Sequence, residues 1–188
     1  VYGVPDVVAS QALVRGPLPP GRRTACAVIQ PHGRVSISWL NVFPMASTLD
    51  VSVHDFIAAS PVRVRAVMFD PLQDPTWMAA VRTVEPVSAA LAPGARVRRT
   101  GRFLGRTLRW TTEVVGLTGD RLDLRIVDGP MRGTVAYTIE AEGGGARVTI
   151  RNVGEAPGFA PRWLLTWAMR RALSADLRRL RVVVEGTA

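Results

Sequence analysis

The sequence predicts an α+β fold in which a seven-stranded antiparallel sheet wraps around a long C-terminal helix. The first supporting observation is the segment 161–185, in which apolar residues such as Leu173 and Leu177 recur every three or four positions, the period of an amphipathic helix. The second is a series of short alternating segments separated by glycine, proline and aspartate, with two short helical segments after the first of them. Because an antiparallel sheet needs a cover for one face, we expect the long helix to pack across it.

Residues 1–49 differ from the rest of the chain, because they combine frequent proline with no sustained period of a helix or a strand. We predict that they form a poorly structured N-terminal extension. Met45 stands shortly before the first convincing strand, so one hypothesis is that the native protein begins there and that residues 1–44 are upstream sequence. The alternative is a genuine tail with one strand at 34–40.

The predicted domain covers residues 50–186 and begins with a strand at 50–58, where apolar and polar side chains alternate. A short helix follows. Its start is indicated by Ser60 and Pro61, because serine caps the first backbone N–H groups and proline fits the first helical position. The helix ends before Pro71, since the residue preceding a proline avoids helical geometry.

The remaining elements are separated by turns that contain glycine or proline. A second helical turn at 74–80 carries Trp77 and leads into the second strand. Glycine supplies the positive φ that tight hairpins require, so successive strands are predicted to be antiparallel neighbours. These strands span 81–87, 96–103, 107–115, 121–127, 133–141 and 146–153.

Alternation along the strands assigns one face of the sheet to the interior. On the strand at 96–103 this face contains Arg99 among apolar residues, so Arg99 is either a buried polar anchor or the sign of an error in register. The tryptophans of the domain, large aromatics with a polar N–H, are typical both of a ligand site and of an ordinary core. The other predicted inward residues are Leu108, Trp110, Thr112, Val114, Leu122, Leu124, Ile126, Val135, Tyr137, Ile139, Val148 and Ile150.

The ionisable residues exclude several kinds of chemistry. All 24 basic residues are arginine, which excludes a Schiff-base lysine and a P-loop lysine. The net charge of +9 is spread among acids without a dense basic stripe, so we predict no nucleic-acid partner. One cysteine and two histidines exclude an internal disulfide and a zinc site built from clusters of these residues. We predict no metal and no cofactor, and we expect Asp70 and Asp74 to cap or solvate a turn.

No apolar segment approaches the roughly 20 residues that a membrane-spanning helix needs. The apolar stretch at 163–169 is short and runs directly into Arg170 and Arg171. The first residues also lack the order of basic residues, apolar run and cleavage site that marks a signal peptide. We therefore expect a cytoplasmic protein without stable membrane insertion.

Several short motifs occur in a fixed order along the domain. They are IAASPVRVRAVMFDP at 57–71, Trp77, PGARV at 93–97, GGGARVTI at 143–150 and ALSADLRRL at 172–180. Together they resemble the SRPBCC superfamily, and more narrowly its polyketide cyclase/dehydrase and lipid-transport branch, relatives of the START domains. The resemblance implies the helix-grip fold, with two short helices between the first two strands. It also implies a deep hydrophobic cavity between sheet and helix for lipids, polyketides or other apolar molecules.

Members of this superfamily include enzymes and carriers, and the fold alone does not choose between them. We favour a non-catalytic domain that binds or transports a small hydrophobic ligand, because histidines and acids are scarce on the inward faces. One alternative is a polyketide cyclase or aromatase in which Arg99 and Tyr137 polarise a carbonyl, and another is a protein-interaction module. The predicted ligand-binding residues are Trp77, Arg99, Phe103, Trp110, Tyr137, Trp163 and Trp167.

Overall fold

The structure is a computed structural model that describes residues 25–29, 35–39, 48–88, 90–103, 105–155 and 161–186, with the backbone alone at residues 25–29, 35–39 and 103. The chain divides into two compact units, Val1–Met45 and Ala46–Ala188. In the first unit, β1 (Ala25–Ile29) pairs antiparallel with β2 (Val35–Trp39). β2 coincides with the strand at 34–40 that the sequence offers as an alternative, whereas β1 is a short apolar run without a period of its own. Most of the predicted extension lies outside the described residues.

The second unit contains a seven-stranded antiparallel sheet, two short helices and one long helix within its described residues, which confirms the predicted fold class. Its strands are β3 (Thr48–Ile57), β4 (Val81–Pro86), β5 (Arg96–Phe103), β6 (Arg106–Leu117), β7 (Arg121–Asp128), β8 (Gly133–Glu142) and β9 (Gly145–Glu155). Its helices are α1 (Pro61–Met68), α2 (Asp74–Trp77) and α3 (Arg162–Gly186), with a 3-10 turn at Pro71–Gln73 directly before α2.

The strands follow the order β3-β9-β8-β7-β6-β5-β4 across the sheet. From β4 to β9 each strand pairs with the next one along the chain, and β3 pairs with β9 at the opposite edge from β4. The turns after β5, β7 and β8 contain Gly105, Gly129, Gly143 and Gly144, which have the positive φ that the hairpin prediction requires. The segment with α1 and α2 therefore links the two edge strands of the sheet.

Helix α1 and the turn behind it begin with caps that the sequence indicates. The hydroxyl of Ser60 accepts a hydrogen bond from the backbone N–H of Arg63 at 3.4 Å, and Pro61 occupies the first helical position. The carboxylate of Asp70 accepts from the backbone N–H of Leu72 at 3.0 Å and so caps the 3-10 turn. The capping role predicted for Asp70 is thereby confirmed.

The main core lies between the C-terminal half of α3 and the sheet. Leu177, Leu180 and Val184 are at most 1% exposed and pack in one cluster with residues of α1, α2 and the strands. Each side chain of this kind stabilises the fold by about 1.5–3 kcal/mol through burial. Closer to its N-terminus, α3 packs through Leu165 and Met169 against the first residues of β3. The helix therefore lies along the sheet, as predicted.

The predicted inward faces are largely correct. The inward positions of β7, β8 and β9 are buried or half-buried. On β6, Thr112 and Val114 are buried as predicted, and Leu108 and Trp110 are half-buried. Thr111 is also buried, which strict alternation does not predict. The β6–β7 ladder shifts its register between Thr111 and Thr112, so alternation is interrupted at this point.

Candidate functional site

A buried ion pair lies in the interior of the second unit. Nε of Arg99 on β5 donates to Oδ2 of Asp74 on α2 at 2.6 Å, and Nη1 donates to Oγ1 of Thr112 on β6 at 2.5 Å. Arg99 is 5% exposed and Asp74 is 2% exposed. The geometry confirms Arg99 as a buried polar anchor and shows that the predicted register of β5 is right.

The position of Asp74 shows that one prediction was wrong, namely that this residue caps or solvates a turn. Helix α2 begins at Asp74, and its carboxylate meets the inward-facing guanidinium of Arg99 instead of water. A charge in the interior is tolerated only when an opposite charge and hydrogen bonds accompany it. The inward position of Arg99 was therefore the signal that one acid of the domain had to be buried.

Burial and the guanidinium of Arg99 act on the pKa of Asp74 in opposite directions. Burial raises the pKa of Asp74 to about 6, and the charge of Asp70 also raises it, whereas the charge and the hydrogen bond of Arg99 lower it. The effect of burial is the larger one. Asp74 therefore titrates much closer to neutral pH than an exposed aspartate does.

Two aromatic side chains accompany the ion pair. Trp77 on α2 and Tyr137 on β8 meet edge to face, with ring centroids 6.1 Å apart and an interplanar angle of 72°. Nε1 of Trp77 is buried and has no hydrogen-bond partner among the described residues. Burial, with a smaller effect of the Asp74 charge, raises the pKa of Tyr137, so its phenol stays protonated. We call Asp74, Trp77, Arg99, Thr112 and Tyr137 the interior polar cluster.

A cleft of about 490 Å³ lies between the end of α1, the loop that joins β4 to β5, and the end of β6. Its inner wall contains the buried side chains of Phe69, Ala95 and Val97. Arg65 and Arg96 are exposed at its rim. The other lining residues are Ala66, Asp70, Pro71, Leu72, Pro86, Ser88, Ala90, Leu91, Leu117 and Thr118.

The cleft and the interior polar cluster share strand β5. Val97 in the cleft wall and Arg99 in the cluster are two residues apart and face the same side of the sheet. Asp70, another lining residue, contributes to the raised pKa of Asp74. The apolar inner wall of the cleft and a buried set of polar groups are thus adjacent along β5.

The structure brings three of the predicted ligand-binding residues together, since Trp77, Arg99 and Tyr137 all belong to the interior polar cluster. Trp110 is half-buried on β6, and its ring lies close to Gly101 on the neighbouring strand. None of these four residues is among the described lining of the cleft.

The other three predicted residues lie elsewhere. Trp163 and Trp167 are 72% and 57% exposed on α3, so their side chains point to solvent and not into the interior. The side chain of Phe103 lies outside the described residues. A ligand-binding role for any of the seven residues stays a prediction.

The resemblance implies a cavity between the sheet and the C-terminal helix, but no described residue of α3 lines this cleft. Sequence reasoning did not predict a cleft at this place. Its leucines, Leu72, Leu91 and Leu117, lie in turns or at the end of a strand, where neither the helical nor the strand period marks them. Leucines that lie near prolines and glycines were the one available signal for a cleft in the sequence, and this signal is weak. Their convergence depends on how α1 and the β4–β5 loop meet.

Within the described residues, no group of three or more histidine, cysteine, aspartate or glutamate side chains is arranged to hold a metal ion. Of the helices in the same part of the chain, none is both long enough and apolar enough to cross a membrane.

Known proteins resemble this chain in both sequence pattern and fold. The model of the family described as polyketide cyclase / dehydrase and lipid transport matches residues 48–185. The protein TTHA0849 from Thermus thermophilus is 23% identical with a TM-score of 0.65, and the match covers 74% of this chain and 99% of that one. A START superfamily protein from Mycobacterium smegmatis is 15% identical with a TM-score of 0.67, at 74% and 99% coverage. The Zhui aromatase/cyclase from a Streptomyces species is 18% identical with a TM-score of 0.64, at 74% and 94% coverage.

At such low identity the solved structures show a common fold and nothing further. No curated protein matches the chain. The family match is broader, because it extends from the start of β3 almost to the end of α3. The chain therefore belongs to the polyketide cyclase/dehydrase and lipid-transport family of the SRPBCC superfamily and has the helix-grip fold of the START proteins.

Proposed function

We propose that residues 50–186 form a domain that binds or transports a small hydrophobic ligand of lipid or polyketide type. The observation that carries this proposal is the cleft of about 490 Å³, with its apolar inner wall next to a buried ion pair. Sites for small molecules are concave, roughly 300–1,000 Å³ in volume, and mostly apolar with a few fixed polar groups. The cleft falls within this range of volume, and its apolar inner wall is two residues along β5 from the fixed polar groups of the interior polar cluster.

The interior polar cluster offers hydrogen-bond donors to such a ligand. A guanidinium carries five N–H groups, and Arg99 directs Nε to Asp74 and Nη1 to Thr112, which leaves Nη2 for another acceptor. Nε1 of Trp77 is a second donor without a partner among the described residues. None of these donors lines the cleft in this structure, so a carbonyl or carboxylate oxygen of the ligand would satisfy them only by entering the interior, while the rest of the molecule contacts the apolar wall.

Narrowing the cleft tests the proposal. Ala66 is an exposed residue of α1 that lines the cleft, so Ala66→Trp reduces the space without entering the core. We expect this variant to bind the apolar fluorescent probe anilinonaphthalene sulfonate severalfold more weakly than the wild type. Val62→Trp is the matched control, because Val62 lies on the same helix, is 77% exposed and does not line the cleft. Equal binding by both variants and the wild type contradicts the proposal.

Native mass spectrometry of the protein purified from its host complements this test. We expect a co-purifying apolar molecule in the wild type and less of it in Ala66→Trp. Its mass identifies the ligand as a lipid or a polyketide.

A second candidate function is that of a polyketide cyclase or aromatase, and the titration of Asp74 favours it. A general acid or base works best when its pKa is near the working pH, and the pKa of Asp74 is raised to about 6. In this role Asp74 takes a proton from the carbon next to one substrate carbonyl. The resulting enolate attacks a second carbonyl, and Arg99 and the protonated Tyr137 stabilise the oxyanion until it is protonated.

Product formation separates the two functions. We expect a cyclase to convert a linear poly-β-ketone thioester into one ring product faster than the spontaneous reaction, with a rate that follows a pKa of about 6. Asp74→Asn should abolish this acceleration, and Thr111→Val, a buried substitution beside the cluster, should leave it unchanged. If the wild type yields only the spontaneous products, the cyclase is contradicted while ligand binding still stands.

A further inference from the structure

The N-terminal half of α3 has an apolar face on each side. Leu165 and Met169 point inward and pack against the start of β3. On the outside, Trp163 is 72% exposed, Trp167 is 57% exposed and Leu164 is 39% exposed. The two tryptophans are one helical turn apart, so their side chains lie on the same face of the helix and form an aromatic surface. Three large apolar side chains exposed within five residues require an explanation that the packing of the domain does not supply.

The charged residues next to this aromatic surface along the helix are all positive. Arg162, Arg170 and Arg171 are exposed, and none of them has an ion-pair partner among the described residues. The chain contains no acidic residue between Glu155 and Asp176. The guanidinium of Arg171 lies over the ring of Trp167, 6.0 Å from its centroid.

The two acids of α3 do not neutralise this surface, because both are directed at backbone N–H groups of other elements. Asp176 accepts from the N–H of Ala79 at 2.9 Å, and Glu185 accepts from the N–H of Ala58 at 2.8 Å. The outer side of α3 therefore combines exposed tryptophans with unopposed arginines.

We propose that this surface, Trp163, Leu164, Trp167, Arg170 and Arg171, docks on the surface of an anionic membrane. Tryptophan prefers the headgroup region of a bilayer, and arginine extends its charged end to lipid phosphates while its stem stays among apolar groups. A helix with aromatic and basic residues on its outer side lies in the plane of the interface. The helix does not span the bilayer, because it is too polar for that.

Sedimentation with lipid vesicles tests the proposal on the full chain. We expect the wild type to bind vesicles of phosphatidylcholine with phosphatidylserine, to release them as salt is added, and to bind vesicles of phosphatidylcholine alone much more weakly. Trp163→Ala/Trp167→Ala should lose at least about tenfold in affinity, since this variant lacks most of the apolar area that would be buried in the membrane surface. Arg170→Gln/Arg171→Gln should lose roughly 30-fold on anionic vesicles, from about 1 kcal/mol per arginine.

Val182→Ala is the matched control, because Val182 lies on the same helix and is 69% exposed but stands apart from this surface. It should bind vesicles like the wild type. All variants change exposed side chains, so their thermal unfolding should match that of the wild type. A wild type that stays in the supernatant, or a double tryptophan variant that binds normally, overturns the proposal. So does a wild-type dimer that the tryptophan substitutions dissociate in the absence of vesicle binding, because the surface would then be an interface between two copies.

Discussion

Arg96 and Arg99 lie three residues apart on β5 and have opposite environments. The side chain of Arg99 is 5% exposed and contacts Asp74 at 2.6 Å. The side chain of Arg96 is 56% exposed and contacts Glu113 at 2.9 Å, and Glu113 also contacts Arg125 at 2.8 Å. The strand pleat alone separates them, because residues an odd number of positions apart face opposite sides of a sheet.

The pKa values of the carboxylates paired with these two arginines shift in opposite directions. Burial raises the pKa of Asp74, although Arg99 opposes the rise. Hydrogen bonds from Arg96 and Arg125 lower the pKa of Glu113. Desolvation opposes this decrease only weakly, because Glu113 lies on the outer face of the sheet. The same arginine–carboxylate contact is therefore costly to break inside the sheet and of small effect outside it.

The largest expected effect comes from breaking the inner pair. Arg99→Met leaves the carboxylate of Asp74 buried without a counter-charge, and removal of one partner of such a pair costs about 3–5 kcal/mol. We expect the free energy of unfolding, measured by urea denaturation, to fall by that amount. Arg99→Met/Asp74→Leu removes both charges and should recover much of the loss. A decrease below about 1 kcal/mol in the single variant would place the inner pair in the class of exposed pairs.

The second-largest effect is expected in the pH dependence of stability, which reports on the buried carboxylate of Asp74. Because the folded state raises the pKa of Asp74 from its ordinary 3.8 to about 6, the folded protein binds this proton more tightly than the unfolded chain does. The cost of the buried carboxylate is therefore fully present above about 6 and disappears as the pH falls to 3.8. We expect the wild type to gain stability relative to Asp74→Asn as the pH falls from about 6 to 3.8. An identical pH profile for the wild type and Asp74→Asn would refute the assignment.

A smaller effect is expected at the third member of the inner network. Thr112→Val keeps the shape of the side chain and removes the acceptor for Nη1 of Arg99. A hydrogen bond to a charged group contributes about 1.5–3 kcal/mol, so the free energy of unfolding should fall by roughly that amount. Thr111→Val is the matched control, since Thr111 is buried next to it and its hydroxyl makes no hydrogen bond within the described residues. Equal losses in the two variants would show that the hydrogen bond to Arg99 contributes nothing specific.

The smallest effect is expected on the outer face. Glu113→Gln removes the negative charge from both outer contacts, to Arg96 and to Arg125, but these arginines stay hydrated. The lowered pKa of Glu113 means that its contribution is present above its ordinary value of 4.5 and is lost as the pH falls further. Thermal unfolding at neutral pH should therefore change little, and any change should shrink as salt is added. A loss as large as that of Arg99→Met would contradict the distinction between the two faces.

Several features of the site were predictable from the sequence because they depend on local periods. Alternation on β5 placed Arg99 inside, and the same rule placed Thr112 and Tyr137 on the facing sides of β6 and β8. The serine and proline before α1 predicted where that helix begins. The cytoplasmic location, the absence of a nucleic-acid partner and the status of residues 1–44 stay predictions.

The sequence by itself determined the order of strands and helices along the domain and most of their inward faces, since these follow from a repeat of two or of 3.6 residues. It left open whether Arg99 is a buried polar anchor or the sign of an error in register. Only the tertiary structure decided that Asp74 is the partner of Arg99, that the end of α1, the β4–β5 loop and the end of β6 form a cleft, and that Trp163 and Trp167 point outward. The reason is physical. A helix with apolar residues on two sides can bury either one, and distant segments meet only where packing of the whole domain brings them together.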